Sequence, residues 1–265
     1  MTEPGRLETR TPWEITRAVH FALLMRELKT RFGAYRLGYA WVLLEPMAHV
    51  AVLALIFGYF VGRTMPGIDF TLFLITGIVP WMLFMKTVER GMAAVSSNSG
   101  LFGYRQVKPI DAFLARSVLE FLIYAGVFMV LILLAYWYGL EVRIDQPLNL
   151  AAAFVALFLF SVSLALTLCV IVTLFPESQK FIKILLKPLY FMSGIFFSLR
   201  NIPAEYHVYL LWNPVLHAIE LTRDAFFYQY STDGGSFEVL IAYTCILSVL
   251  GLALYRQNLT RMVAT

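Results

Sequence analysis

Long apolar runs punctuated by short polar ones predict six helices able to cross a bilayer, near Gly38–Val61, Phe70–Val88, Phe113–Tyr138, Leu148–Leu174, Ile184–Leu199 and Phe237–Tyr255. About 20 apolar residues in a helix span the roughly 30 Å of hydrocarbon. Ahead of them lies a charged leader. From Trp13 to Phe32 it holds no Gly or Pro, and Ile15, Val19, Ala22 and Leu23 recur at helical spacing while Arg17, Arg26, Lys29 and Arg31 fill much of the remaining surface. This pattern predicts an amphipathic helix lying in the headgroup layer or packed on a partner protein. Gly33 ends it.

The positive charge alternates between loops. With the amino terminus placed inside, seventeen of the 21 Lys and Arg fall on the inner side, and only Arg63, Arg143, Arg200 and Arg223 fall outside. The positive-inside bias therefore predicts both termini in the cytoplasm. The chain is 60% hydrophobic, which excludes a soluble domain as its main body. The division predicted is residues 1–37 as a cytoplasmic interface helix and 38–265 as one six-span membrane domain. The net charge of +4 follows from this topology and points to anionic lipid rather than nucleic acid. Cys169 and Cys245 fall inside spans and give no disulfide framework.

Several positions interrupt the apolar pattern. Glu45-Pro46 and His49 sit within span one, where a carboxylate must snorkel, be protonated, bond a neighbour or face a polar cavity. Gly58 and Gly62 form a small-xxx-small pair. Gly77, Pro80 and Trp81 predict a bent span two, and Lys187-Pro188 an interrupted span five. Arg116 and Glu120 stand one helical turn apart and are expected to pair at the membrane edge. Between spans two and three, the segment at about 96–111 sets Leu101, Phe102 and Tyr104 among Arg105 and Lys108, the make-up of a docking knob. Between spans five and six, about 200–236, the stretch is too apolar for a free loop. Two short helices dipping into the outer leaflet, able to cap a pore, are expected there.

No catalytic chemistry is apparent. The sequence lacks a GxxxxGK[ST] loop, a nucleophile elbow and an HExxH motif. Its four histidines, His20, His49, His207 and His217, are not at ligand spacing, so no metal site is expected. The 15% aromatic content fits interface belts and membrane core, with a share available to line a conduit for a sliding sugar polymer.

Four runs, RELKTRFGAYRLGYAWVLLEP (Arg26–Pro46), GLFGYRQVKPID (Gly100–Asp111), FPESQK with ILLKPLYF (Phe175–Phe191) and LLWNPVLHAIELTR (Leu210–Arg223), together resemble the KpsM-type permeases. These are the inner-membrane subunits of ABC-2 exporters for group 2 capsular polysaccharide in Gram-negative bacteria. The resemblance covers essentially the whole chain. It implies an all-α fold of the ABC-2, or type V exporter, kind: six transmembrane helices, the amphipathic interface helix, and periplasmic re-entrant helices. It implies a homodimeric pore over two copies of a separate ATPase subunit, which holds the ATP and Mg, so that this chain binds no cofactor and is not an enzyme. Leu101, Phe102, Tyr104, Arg105 and Lys108 would couple to the ATPase. Arg26, Lys29, Arg31, Arg36, Trp41 and Glu45 would frame the entrance for a lipid-linked acidic polysaccharide. Tyr209, Trp212, Asn213 and Pro214 would form a periplasmic gate within Ala204–Glu220. A periplasmic polysaccharide co-polymerase and an outer-membrane export channel are partners implied in the same way. The rival classes are an exporter of another lipid-linked glycan (O-antigen or teichoic acid), a membrane-embedded glycan polymerase or ligase, and a passive membrane anchor.

Overall fold

A computed structural model describes residues 11–32, 38–60, 67–103, 107–232 and 234–264. Gly33, Arg36, Gly62, Arg63, Tyr104 and Arg105 lie outside the described residues. The regular elements among those described are helical. They are α1 (Pro12–Phe32), α2 (Gly38–Leu53, running on as a π-helix over Ala54–Phe60), α3 (Phe70–Met92), α4 (Pro109–Trp137), α5 (Pro147–Leu174), α6 (Ser178–Met192), α7 (Pro214–Phe226) and α8 (Phe237–Ala264). Short 3₁₀ turns cover Ser96–Leu101, Leu199–Asn201 and Ala204–Tyr209.

The helix starts follow local chemistry. Asp69 caps α3, its Oδ1 accepting from the backbone N–H of Thr71 at 2.7 Å and of Leu72 at 3.2 Å. Pro109 opens α4, where no N–H is needed, and Asp111 reaches back to accept from the Lys108 N–H at 3.0 Å. Asn213 caps α7, accepting from the Val215 N–H at 3.0 Å.

α3 is the central mast. Every residue from Leu72 to Phe84 is buried. α5 packs along α3 and, most extensively, along α8; α4 flanks α3 on another side, with α1 against α4. α7 is wedged among α3, α5 and α8. Helices α2 and α6 touch α3 lightly and leave most of their surface open.

Five described helices, within Ala40–Gly58, Phe70–Met92, Pro109–Trp137, Pro147–Leu174 and Phe237–Val263, are long and apolar enough to cross a membrane. The fifth predicted span differs from expectation. The helix there begins earlier, at Ser178, and stops at Met192, and Pro188 sits inside it without breaking it. Its 15 residues rise about 22 Å. The stop is set by Gly194, whose φ of +74° lies in the left-handed region open to glycine.

Helices α3, α4 and α5 meet closely at Gly91. A Cβ built there would fall 2.7 Å from Ala165 Cβ and 3.0 Å from Phe113 Cε2. Gly91→Leu is therefore expected to destabilise by about 1–3 kcal/mol through overpacking. Thermal melting of the detergent-purified protein tests this, and an unchanged midpoint would contradict the close crossing.

Candidate functional site

At the end of the bundle that carries α1, charged side chains of α1, α3 and α4 bond one another. Glu27, on the inner face of α1, pairs with Arg116 of α4 at 3.0 Å. Arg31 pairs with Glu120, which also takes Arg90 of α3 at 3.1 Å. Arg26 donates to Asn98 Oδ1 at 2.9 Å, and Asn98 Nδ2 donates to Glu27 at 3.3 Å. Arg116 also donates to the carbonyls of Ala93 (3.2 Å) and Arg90 (3.4 Å), which close the end of α3. The expected Arg116–Glu120 pair is thus replaced by three pairs made to other helices. Glu120 is 1% exposed. Leaving such a carboxylate unpaired in an apolar body is far costlier than any local helix pair is favourable.

Along α2, α3 and α6 runs a polar and aromatic seam. Lys86 Nζ reaches Glu45 at 2.7 Å, so the span-one carboxylate bonds a neighbouring helix. His49 Nε2 lies 2.5 Å from Tyr190 OH. Tyr190 packs against Trp81, Phe191 and Phe196, and Phe57 joins through Phe196.

At the opposite end, α7 is locked by Arg223, which is 0% exposed. Its guanidinium lies 3.5 Å from the Phe73 ring centroid and donates to the carbonyls of Gly194 (2.6 Å), Ile195 (3.0 Å), Phe197 (3.1 Å) and Phe73 (3.5 Å). Glu220 stands 3.6 Å away and accepts from Tyr230 OH at 2.7 Å. Burial, and then Glu220 beside it, push the Tyr230 phenol above its ordinary range, which keeps it a donor. Asn213 caps two helices at once, its Nδ2 donating to the Met192 carbonyl at 3.3 Å where α6 ends. The backbone N–H of Gln146 answers the Ala225 carbonyl at 2.9 Å. Arg223, counted from sequence as an exterior loop charge, is a core residue.

The predicted site residues are therefore dispersed. Of the coupling set, Phe102 is 7% exposed and faces into the protein, Leu101 is half-buried, and Lys108 is exposed. Of the entrance set, Arg26, Arg31 and Glu45 have internal partners, whereas Lys29 and Trp41 face outward. Of the gate set, Tyr209 and Trp212 are exposed, while Asn213 and Pro214 are buried. The sequence reading missed Glu27, Arg90 and Asn98. The one available signal was that Glu27 falls on the same helical face as Leu23, the buried face of α1. The histidines serve structural bonds: His207 Nε2 lies 3.0 Å from the Ile202 carbonyl, and His217 Nε2 lies 2.7 Å from that of Leu211. Among the described residues no group of three or more His, Cys, Asp and Glu could hold a metal ion.

Gly77 makes room for the Arg223 lock, since a Cβ there would fall 2.8 Å from Arg223 Nη2 and 3.3 Å from Ile195 Cα. Gly77→Ala and Arg223→Lys are both expected to lower the melting midpoint. The first blocks the guanidinium, and the second offers an ammonium that cannot reach carbonyls on both sides of a planar fork. Arg223→Lys melting at the parent temperature would refute the lock.

Known proteins share this arrangement of sequence. The chain is 43% identical over 256 residues to the polysialic acid transport protein KpsM of Escherichia coli, covering 97% of this chain and 99% of that one. It is 31% identical over 224 residues to the capsule polysaccharide export inner-membrane protein CtrC of Neisseria meningitidis serogroup B, covering 81% and 82%. It is 21% identical over 238 residues to the O-antigen export system permease protein RfbA of Klebsiella pneumoniae, covering 88% of each. The family model described as "ABC-2 type transporter" matches residues 19–227, from the middle of α1 through the end of α7. With that match spanning most of an all-helical body of membrane-length helices, the chain belongs to the ABC-2 type transporter family.

Proposed function

We propose that this chain is the permease subunit of an ATP-driven exporter that carries lipid-linked capsular polysaccharide across the inner membrane of a Gram-negative cell. The observation that carries this reading is the likeness to a polysialic acid transport protein over 97% of the chain at 43% identity, and to a capsule polysaccharide export protein over 81% of it at 31%. The O-antigen permease is more distant, at 21%.

In this reading two copies enclose the path, and two ATPase subunits work beneath it, since the sequence has no phosphate loop of its own. Both termini lie in the cytoplasm, as the charge asymmetry of the loops favours. α6 with the turn after it makes the fifth crossing and α8 the sixth, and α7 sits re-entrant in the outer leaflet. Its burial on three helices supports that placement, because backbone at such depth must be covered by protein. The open faces of α2 and α6 supply the walls between copies. The seam from Glu45 through His49, Tyr190 and Trp81 then lies along the path, where aromatic faces hold sugar rings without fixing them. The 96–111 segment receives the ATPase through Leu101 and Lys108, with Phe102 as its footing in the bundle; Tyr104 and Arg105 join them as contacts. Lys29 and Arg36 meet the acidic polymer and its lipid at the entrance beside Trp41. Tyr209 and Trp212, carried on a frame fixed by Asn213 and Pro214, form the outer gate. A periplasmic co-polymerase and an outer-membrane channel take the polymer onward.

The mechanism follows from differential affinity. Nucleotide binds one state of the ATPase pair more tightly, and that preference shifts the attached permease toward its open state.

Deletion of the gene in an encapsulated host is expected to trap full-length lipid-linked polymer inside the cell; a cell with no polymer anywhere would overturn the export reading. Leu101→Glu combined with Lys108→Glu is expected to weaken retention of the ATPase about tenfold or more on co-purification, as loss of an interface anchor does. Undiminished retention would remove the segment from the interface.

A further inference from the structure

Asn98 is the buried residue of the Ser96–Leu101 turn, at 3% exposure. Its amide lies between a cation and an anion that are consecutive in α1. Oδ1 accepts from Arg26 at 2.9 Å, and Nδ2 donates to Glu27 at 3.3 Å and to the Ala94 carbonyl at 2.9 Å. A side-chain amide offers a donor and an acceptor on adjacent atoms with no charge of its own. Glu27 is held on its other side by Arg116 at 3.0 Å, and Arg116 closes the carbonyls of Arg90 and Ala93. The turn, the end of α3, the start of α4 and the second half of α1 therefore share one set of charged hydrogen bonds. Sliding the turn along α1 would break several of them at once, those of the buried Asn98 and Glu27 among them, which makes the motion unfavourable.

We propose that Asn98 is a positioning residue that clamps α1 to the Ser96–Leu101 turn, so that a push on the turn moves the leader helix with it. This rests on the reading that the turn faces the ATPase. The turn then delivers the stroke to two places. Through α3 and α4 it reaches the bundle. Through α1 it reaches the chain entering α2, one of the two helices with open faces. The leader is a moving lever of the transport cycle rather than a passive float on the membrane.

The test uses the complete permease with its ATPase, reconstituted in vesicles, and as probe the labelled lipid-linked polymer extracted from the deletion strain. Asn98→Ala is expected to keep ATPase attachment and hydrolysis while polymer moved per ATP falls about tenfold or more, the order expected when a hydrogen bond to a charged group is lost. A merely structural role would lower hydrolysis and transport together, and that result, or an unchanged ratio, overturns the clamp. A second variant keeps the question decidable if Asn98→Ala does not fold. Arg26→Cys with Asn98→Cys, with Cys169→Ala and Cys245→Ser to remove the native thiols, is bridged by a flexible bifunctional thiol reagent. Bridging is expected to restore the ratio, because a covalent tie replaces the clamp. Transport that stays low or stops on bridging means that the two elements must move apart, and the proposal is wrong. The underlying reading fails separately, if Leu101→Glu with Lys108→Glu leaves the ATPase attached.

Discussion

A guanidinium placed inside an apolar helical body needs partners for most of its donors, and that constraint shapes both ends of this molecule, although the buried Nε of Arg116 and of Arg223 is left without one. At one end Arg116 and Arg31 find carboxylates on other helices; at the other, Arg223 finds backbone carbonyls freed where α6 stops. Neither arrangement is a gain over apolar packing in itself, since desolvating such groups offsets much of their attraction. Their effect is on geometry. A charge that must be paired admits very few positions for the helices that carry it.

The division of labour among helices follows. α3 is held by α4 and α5 at Gly91, by α7 through Arg223, and again by α4 through the pair of Arg90 with Glu120, which Arg31 of α1 also holds. α2 is tied to it by the pair of Glu45 with Lys86, α6 meets it through the ring of Tyr190 against Trp81, and His49 bonds Tyr190 to link α2 with α6. A rigid mast with two lightly held flanking helices separates the part that must keep its shape from the part free to rearrange.

Much of the fold was legible in the chain, because crossing a bilayer depends on a local property, the length of an apolar run. Spans one to four and six appear where the hydropathy pattern places them. Span five was misplaced because three lysines precede Pro188, and a proline tolerated inside a helix looks the same in sequence as one that ends it. The pairings were not legible. Arg116 and Glu120 stand at helical spacing, but their partners lie far back in the chain, and nothing local marks Glu27 or Arg31 as those partners. Arg223 was read as an exterior charge for the same reason, its acceptors being backbone carbonyls that no side-chain pattern reveals. Phe102 looked like an exposed anchor because it stands among polar residues, yet it turns inward beneath them.

The leader's bonds also bear on how the chain is assembled. Arg26 and Asn98 are 72 residues apart, and Arg31 and Glu120 are 89 apart. α1 therefore reaches its seat only after α3 and the start of α4 have been made. Until then its carboxylate and guanidinium groups are held by water and lipid headgroups. Docking of α1 thus waits on the α3–α4 hairpin that supplies its partners.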